Sequence, residues 1–408
     1  MKSLFRPLFS LYHYIWALLG AWVYRYPSRD IFVLGITGTK GKSTVGELVS
    51  AIFEAAGKKT ALLSSVRTKI DGESHLNKTG MTMPGRFAIQ RFLRRAVDGN
   101  CDYAIIEVTS QGVLQHRHRW IDFNAAMLTN LQPEHLEAHG SFANYRDSKL
   151  SFFSYVAHSS RKSAKIFFVN NQTRDYQYFT RVAESDGTLT VFNRKDLAKL
   201  KLKPKIIGEF NEENIAAAIA FARSQNIEWE TIKHALEAFD GVPGRFEFIQ
   251  QQPFAVIIDY AHTPDSLESV YQTVKQYLLK TKKQKLICVL GAAGGGRDVW
   301  KRPVMGKIAA RYCDEIVLTN EDPFDEEPVA IVDQIEGGMI GDHKPPVERY
   351  MDRKEAIRKA IQKAKRGDVV MITGKGSEPY MRVAHNRKIP WNERELVLKI
   401  LNSERIEL

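Results

Sequence analysis

Short unbroken apolar runs recur along the chain, and between them apolar residues return at helical spacing. Ile31-Phe32-Val33-Leu34, Ala104-Ile105-Ile106 and Ala126-Met127-Leu128 are such runs. A run that is apolar at every position suits a strand buried on both faces, and the segment from Val45 to Ala56 has helical periodicity. Alternation of the two predicts a parallel α/β architecture. Each run ends on polar residues, and ligands of such sheets gather at the carboxyl ends of strands. The same plan restarts near residue 247. Phe254 to Ile258 ends at Asp259, Leu286 to Leu290 ends in a glycine-rich stretch, and Glu315 to Leu318 and Val369 to Ile372 follow. A second doubly wound, Rossmann-like domain is expected there, with Gly241-Val242-Pro243-Gly244 as the hinge. The predicted organisation is an aromatic and apolar N-terminal helix over 1–28, a P-loop central domain over 29–245 and the Rossmann-like domain over 246–408.

Between the first strand and the first helix lies Gly35-Ile36-Thr37-Gly38-Thr39-Lys40-Gly41-Lys42-Ser43-Thr44. Strand, glycine loop and helix together cradle a phosphate chain: backbone N–H groups and the helix dipole face the anion. Lys42 would reach the terminal phosphates, and Ser43 or Thr44 would hold Mg²⁺. The glycines fall at 35, 38 and 41, so the standard P-loop spacing is not fully met. Glu107-Val108-Thr109-Ser110-Gln111 follows the next buried strand, where a carboxylate can bind Mg²⁺ opposite the loop hydroxyl. Asn130 to Gly140 follows the third and carries two histidines and two glutamates, a candidate metal cluster.

The 408 residues have a net charge of +12, which suits anionic small molecules, nucleic acid or an anionic membrane surface. Neither an aromatic RNA-binding signature nor zinc-finger spacing occurs, so no nucleic-acid partner is expected. The three cysteines, Cys101, Cys288 and Cys313, are far apart and form no Cys-x-x-Cys pair. Structural zinc and a disulfide framework are not expected, and a reducing cytoplasm fits. Pro7 to Tyr24 holds no formal charge between Arg6 and Arg25 and is rich in Tyr and Trp. Three readings stay open for it: a helix docked on the protein or on a partner, an interfacial membrane contact at the inner face, and a membrane span.

Further motifs sharpen the picture. They are Tyr145-Arg146-Asp147-Ser148-Lys149, Gly208-Glu209-Phe210-Asn211-Glu212-Glu213-Asn214, Gly244-Arg245-Phe246-Glu247, Asp259 to Glu268, Gly294 to Pro303, and Gly374-Lys375-Gly376-Ser377-Glu378. With Thr37 to Thr44, Glu107 to Arg117 and Glu134 to Gly140, they resemble in order the motifs of the Mur ligase family. The resemblance is nearest to the branch that adds the third residue of the peptidoglycan stem peptide, and it runs from about residue 31 to the C-terminus. It implies an ATP-dependent carbon–nitrogen ligase that activates a peptidoglycan-precursor carboxylate as an acyl phosphate, which an amino acid's amine then attacks. It implies ATP and two Mg²⁺ ions as cofactors. Gly38, Thr39, Lys40, Gly41, Lys42, Ser43, Thr44, Asn214, Arg245, Asp259 and His262 would bind the nucleotide. Ser43, Thr44, Glu107 and His135 would hold metal, and Lys149 would be carbamylated. Lys42, Lys149, His135 and Glu107 would carry the catalysis, since phosphoryl transfer needs charge neutralisation more than a base. Thr82, Thr109, Ser110, Arg117, Arg297, Asp322, Phe324, Gly374 and Glu378 would contact acceptor and amino acid. Closure about the hinge would bring Asp259 and His262 to the nucleotide.

Members of this family carry a domain gripping a UDP-sugar ahead of the phosphate loop, whereas Gly35 here follows the aromatic segment closely. The acceptor's carrier group is therefore open. Alternatives are another amide ligase of the superfamily, acting on a lipid-linked or other acceptor, and a non-catalytic nucleotide-binding relative at the membrane. In the diaminopimelate-adding branch an arginine stands where this chain has Phe324. With Glu321, Asp322, Asp325, Glu326 and Glu327 around it, a lysine-like amino acid is expected, unless the run is only a solvated loop and Arg382 or another basic side chain replaces the lost arginine.

Overall fold

The computed structural model describes residues 6–134, 136–281, 283–296, 298–340 and 344–403. They form two compact units, residues 1–205 with 210–240 and residues 206–209 with 241–408. No described helix is long and apolar enough to cross a membrane.

Unit 1 contains α1 (Arg6–Val23), β1 (Phe32–Thr37), α2 (Lys42–Ala55), β2 (Thr60–Leu63), β3 (Arg67–Ile70), β4 (Glu73–Leu76), α3 (Arg86–Asp98), β5 (Tyr103–Glu107), α4 (Ser110–Leu114), β6 (Ala125–Leu128), α5 (Leu136–His139), α6 (Phe142–Ser159), β7 (Ile166–Asn170), α7 (Tyr176–Ser185), β8 (Thr188–Phe192), α8 (Glu209–Ser224) and α9 (Trp229–Ala238). Its eight-stranded sheet has the order β4-β3-β2-β5-β1-β6-β7-β8. It is parallel from β2 to β8, and β3 and β4 add antiparallel at one edge. The apolar runs at β1, β5 and β6 sit at its centre, almost wholly buried, as sheets covered on both faces require. α1 lies on α3, with Ala17 and Ala21 buried and Gly20 close to Phe87.

Unit 2 contains β9 (Glu247–Gln250), β10 (Ala255–Asp259), α10 (Pro264–Thr273), β11 (Leu286–Leu290), α11 (Lys301–Tyr312), β12 (Glu315–Thr319), α12 (Pro328–Glu336), β13 (Val347–Tyr350), α13 (Arg353–Lys363), β14 (Val369–Thr373), β15 (Tyr380–Val383), β16 (Arg387–Pro390) and α14 (Glu393–Ser403). Its main sheet runs β13-β12-β11-β14-β10-β9, parallel except for β9. Arg353, on α13, is fully buried and grips Glu393 on α14 with two 2.8 Å bonds. It also donates to the carbonyl of Thr373 at 2.8 Å, at the end of β14.

One sequence expectation is corrected here. Cys288 and Cys313 are joined by a disulfide. The chain leaves β11 and returns along it as α11, so residues 25 apart in sequence meet with Cα atoms 6.1 Å apart. Cysteine content therefore no longer argues for a reducing compartment.

Candidate active site

The loop from Gly38 to Gly41 joins β1 to α2, and only glycine fits its two ends. Gly38 has φ 149°, and a Cβ there would lie 1.9 Å from Thr129 Oγ1. Gly41 has φ 81°, and a Cβ would lie 2.2 Å from Asn214 Oδ1. Bare backbone thus reaches the N-terminus of α2, where the helix dipole is positive. Asn130, just beyond β6, pins the loop: its carbonyl accepts from Thr39 N at 3.0 Å and its side-chain oxygen from Lys40 N at 2.8 Å. Thr129 Oγ1 donates to Lys40 O at 2.6 Å, and Tyr145 donates its hydroxyl proton to Thr39 Oγ1 at 3.1 Å. Two neighbouring segments, residues 129–130 and α6, thus hold the loop.

Lys42 donates to the carbonyls of Gly38 and Thr39, both at 2.9 Å. Lys149, on α6, donates to the same Gly38 carbonyl at 2.8 Å and is 2% exposed. Burial drives the Lys149 ammonium well below the ordinary lysine pKa, and the charges of Lys42 and Lys40 push the same way, against Glu134. Glu134 in turn pairs with Lys40 at 2.8 Å. A neutral amine at Lys149 is the form that can react with carbon dioxide.

Glu107 closes β5 and is 1% exposed. Its Oε1 accepts from Ser65 N at 2.9 Å, and Ser65 Oγ lies 2.8 Å from Ser43 Oγ at the start of α2. A carboxylate and two hydroxyls therefore meet beside the phosphate cradle. This oxygen donor set fits a hard divalent cation. Among the described residues no group of three His, Cys, Asp or Glu side chains could hold a metal, so the set depends on the hydroxyls. Ser65 escaped the sequence reading. Its signal was present, since Ser64-Ser65 is the polar tail of the apolar β2 run. Thr44 is buried next to Ser43. His135 and Arg297 lie outside the described residues.

Thr109 and Ser110 open α4, Arg117 follows its end, and Thr82 precedes Met83, which Arg117 contacts. Thr109 caps that helix by accepting from Gly112 N at 3.0 Å, and Ser110 Oγ is 3.1 Å from His139 Nε2. Arg117 donates to the carbonyl of Met83, the neighbour of Thr82, and to Gln115 Oε1 at 2.6 Å. Asn214, on α8, bonds Asn211 at 3.3 Å.

In unit 2 the Asp259 carboxylate accepts from Ala261 N at 2.6 Å and Phe246 N at 2.7 Å. It thereby ties the end of β10 to the Gly244-Arg245 turn. The Arg245 guanidinium stacks over Tyr260 at 4.2 Å, and His262 Nδ1 lies 2.7 Å from the Tyr260 carbonyl. The Tyr260 hydroxyl donates to Glu378 at 3.1 Å. Lys375, fully buried, pairs with Asp322 at 2.8 Å and with Glu378. Burial alone would lower the Lys375 pKa, but Glu378 and Asp322 raise it.

The expected negative field around Phe324 is partly offset by neighbouring cations. Asp322 is matched by Lys375, and Glu326 pairs with Arg302 at 2.8 Å. Burial pushes Glu321 up to about 7, against the pull of Lys301 and Lys375. Beside Phe324 stands a cation: the Arg382 guanidinium lies 5.8 Å from its ring, and the two backbones bond at 3.2 Å. Gly374 lies against Glu321, where a Cβ would come within 2.6 Å of Oε2.

A strand–glycine loop–helix cradle with converging lysines and an oxygen cluster defines a P-loop nucleotide-binding α/β protein. Residues 36–222 match the Mur ligase middle domain, and residues 244–376 match the Mur ligase, glutamate ligase domain. The chain belongs to the Mur ligase family, ATP-dependent ligases that form amide bonds. It is 38% identical to the UDP-N-acetylmuramoyl-L-alanyl-D-glutamate–2,6-diaminopimelate ligase of Syntrophomonas wolfei, across 95% of this chain and 82% of that protein. It is 36% identical to the enzyme of the same name from Aquifex aeolicus, across 93% and 79%. A solved diaminopimelate ligase superposes with TM-score 0.62 at 24% identity, covering 94% of this chain and 82% of that one. Folylpolyglutamate synthase from Mycobacterium tuberculosis, solved with ADP and AMPPCP, superposes with TM-score 0.70 at 16% identity, covering 88% and 92%. At these identities the two structures speak to the fold alone.

Proposed function

We propose that the chain joins a diamino acid to the free carboxylate of a muramyl-dipeptide-type acceptor in peptidoglycan precursor synthesis, at the expense of ATP. The observation that carries this is the convergence of Lys42 and Lys149 on the Gly38 carbonyl beside the Ser43–Ser65–Glu107 cluster. The γ-phosphoryl group passes to the acceptor carboxylate, and the incoming amine displaces phosphate from the acyl phosphate. Lys42 neutralises charge on the transferring group. Bound Mg²⁺ would supply further charge neutralisation, with Ser43, Thr44 and Glu107 as its protein oxygens and His135 at a second ion. Lys149, whose ammonium form burial disfavours, reacts as the free amine with carbon dioxide and loses a proton to become a carbamate anion. That converts a buried base into an oxygen donor toward the metal region. Asn214, Arg245, Asp259 and His262 serve the nucleotide; Thr82, Thr109, Ser110 and Arg117 serve the acceptor.

For the amino acid, the pairing of Asp322 with Lys375 and of Glu326 with Arg302 weakens the argument for a lysine-like substrate. Arg382 supplies a guanidinium beside Phe324, and a distal carboxylate is the group it would hold. The diaminopimelate names of the relatives agree, so meso-diaminopimelate is the proposed amino acid, with Gly374, Glu378, Asp322 and Arg297 as its contacts.

The site of action proposed is the cytoplasm, at the inner face of the membrane. Phe9, Leu11, Tyr12, Ile15 and Trp22 leave one side of α1 exposed and apolar, as in helices that lie in a lipid interface.

Amino-acid-dependent ADP release, with meso-diaminopimelate and L-lysine offered separately, tests the reading in wild type and Lys42→Ala. Wild type should prefer diaminopimelate, and Lys42→Ala should lose about 10²–10³-fold or more in turnover. Near-normal turnover by the variant would sink the assignment, and a preference for lysine would overturn the role of Arg382.

A further inference from the structure

On the far side of unit 1 from the phosphate loop, a cavity of about 240 Å³ opens beside α1. It is set by Arg29 ahead of β1, by Arg119, Trp120 and Asp122 ahead of β6, by Arg161 after α6, and by Tyr14 on α1. These segments lie at the amino ends of the strands, whereas the loop from Gly38 to Gly41 lies at the carboxyl ends.

The charged lining is three guanidiniums against one carboxylate. Asp122 is engaged, accepting from Arg161 N at 3.1 Å and facing Arg29 Nε at 3.5 Å. Arg119 is stacked 5.1 Å from the Tyr155 ring centroid, and Arg29 4.2 Å from that of Tyr26, so both planes are held in place. Two buried donors, Arg119 Nε and Trp120 Nε1, have no hydrogen-bond partner among the described residues. A phosphate oxygen is the acceptor that the guanidiniums of this lining are shaped to meet. Trp120 and Tyr26 both have φ above 45°, so two non-glycine residues of the lining hold a left-handed backbone.

The second observation is what adjoins the cavity. Tyr14 stands at the edge of the exposed side of α1 and lies 5.6 Å from the Trp120 ring. Leu11, three residues before it, and Trp22, eight residues after it, fall on the neighbouring stripe of the helix. Leu11 is 55% and Trp22 67% exposed. An apolar, Trp-bearing stripe next to a guanidinium pocket matches an amphiphile whose phosphate and hydrocarbon are joined.

We propose that this cavity binds the phosphate of an anionic phospholipid headgroup while the exposed face of α1 lies in the acyl boundary beside it. The inference rests on the membrane-surface reading of α1 and adds a defined headgroup site. That site orients unit 1 with the amino ends of its strands toward the bilayer and its phosphate loop away from it.

Vesicle co-sedimentation of the full chain at low salt tests it. Phosphatidylcholine vesicles are compared with vesicles containing phosphatidylglycerol. Wild type should bind the anionic vesicles and not the neutral ones. Arg119→Gln with Arg161→Gln should weaken that binding about thirtyfold, near a factor of five per basic side chain. Lys195→Gln with Lys199→Gln, beyond the carboxyl end of β8, should change it less than about twofold. Trp22→Ser, at an exposed position, should also weaken it. If the double arginine variant does not fold, Arg161→Gln alone carries the comparison. Equal binding by the arginine variants and wild type would overturn the headgroup site, as would equal binding to neutral vesicles, and in both cases α1 remains as an anchor. Failure of wild type to bind any vesicle would remove the membrane reading as well. Calorimetric binding of inorganic phosphate that the arginine variants abolish, without vesicle binding, would make the cavity a free-phosphate site and overturn the lipid assignment.

Discussion

Lys149 shows how much chemistry a single buried amine can hold. Its motif was legible in the chain, but its burial and its contact with the Gly38 carbonyl were not, because α6 reaches the loop only through the folded sheet. If its role is to become a carbamate, Lys149→Ala should be inactive and should regain part of its turnover with a short carboxylic acid. Labelled carbon dioxide should give a carbamate carbon signal in wild type that the variant lacks. Full activity of Lys149→Ala would exclude the role. His118 offers a separate test of burial. It is 3% exposed, and burial pulls its pKa from 6.5 down to about 3. Between those values the unfolded chain binds a proton that the folded chain refuses, so stability falls as pH drops through 6.5. From pH 7 to pH 5 wild type should lose about 2 kcal/mol more than His118→Phe, measured by urea unfolding. An equal loss in both proteins would show that His118 is protonated in the fold. Ser65 marks the limit of reading residues one at a time: serine after a strand is common, and only the meeting of β2 with β5 brings it between Ser43 and Glu107.

At the level of elements, the apolar runs that announced β1, β5, β6, β10, β11, β12 and β14 became the parallel strands of two sheets, because fully apolar runs demand burial on both faces. The buried β2 and β7 also went unread, and the other strands that went unnoticed are half-buried or exposed. β3 and β4 are short, polar and antiparallel at the sheet edge, where hydrophobicity carries no signal. The disulfide went unnoticed for a related reason, since spacing in sequence says nothing about where α11 brings Cys313 back to β11. The cations that offset part of the acidic run after β12, Lys375 and Arg302, come from another loop and a helix and were not legible beside it in sequence. Arg353 is the clearest tie between elements, joining α13, α14 and the end of β14 immediately before Gly374. Arg353→Ala leaves Glu393 buried and unpaired and should cost about 3–5 kcal/mol of stability in denaturant titration. A loss below about 1 kcal/mol, the range of a surface ion pair, would mean that the pair is solvated in solution.

For the whole molecule, the central claim is that this chain couples ATP cleavage to amide bond formation on a muramyl-peptide carboxylate. A P-loop, a buried lysine and an arginine beside the amino-acid loop could each exist in a nucleotide-binding protein that makes no bond. Their joint meaning rests on product. The most direct measurement is mass-spectrometric analysis of a reaction holding the full chain, ATP, Mg²⁺, meso-diaminopimelate and UDP-muramyl dipeptide. The expected result is a tripeptide product with equal amounts of ADP and phosphate, and none of the three when acceptor or amino acid is left out. ATP hydrolysis that continues without an acceptor and yields no amide would contradict it.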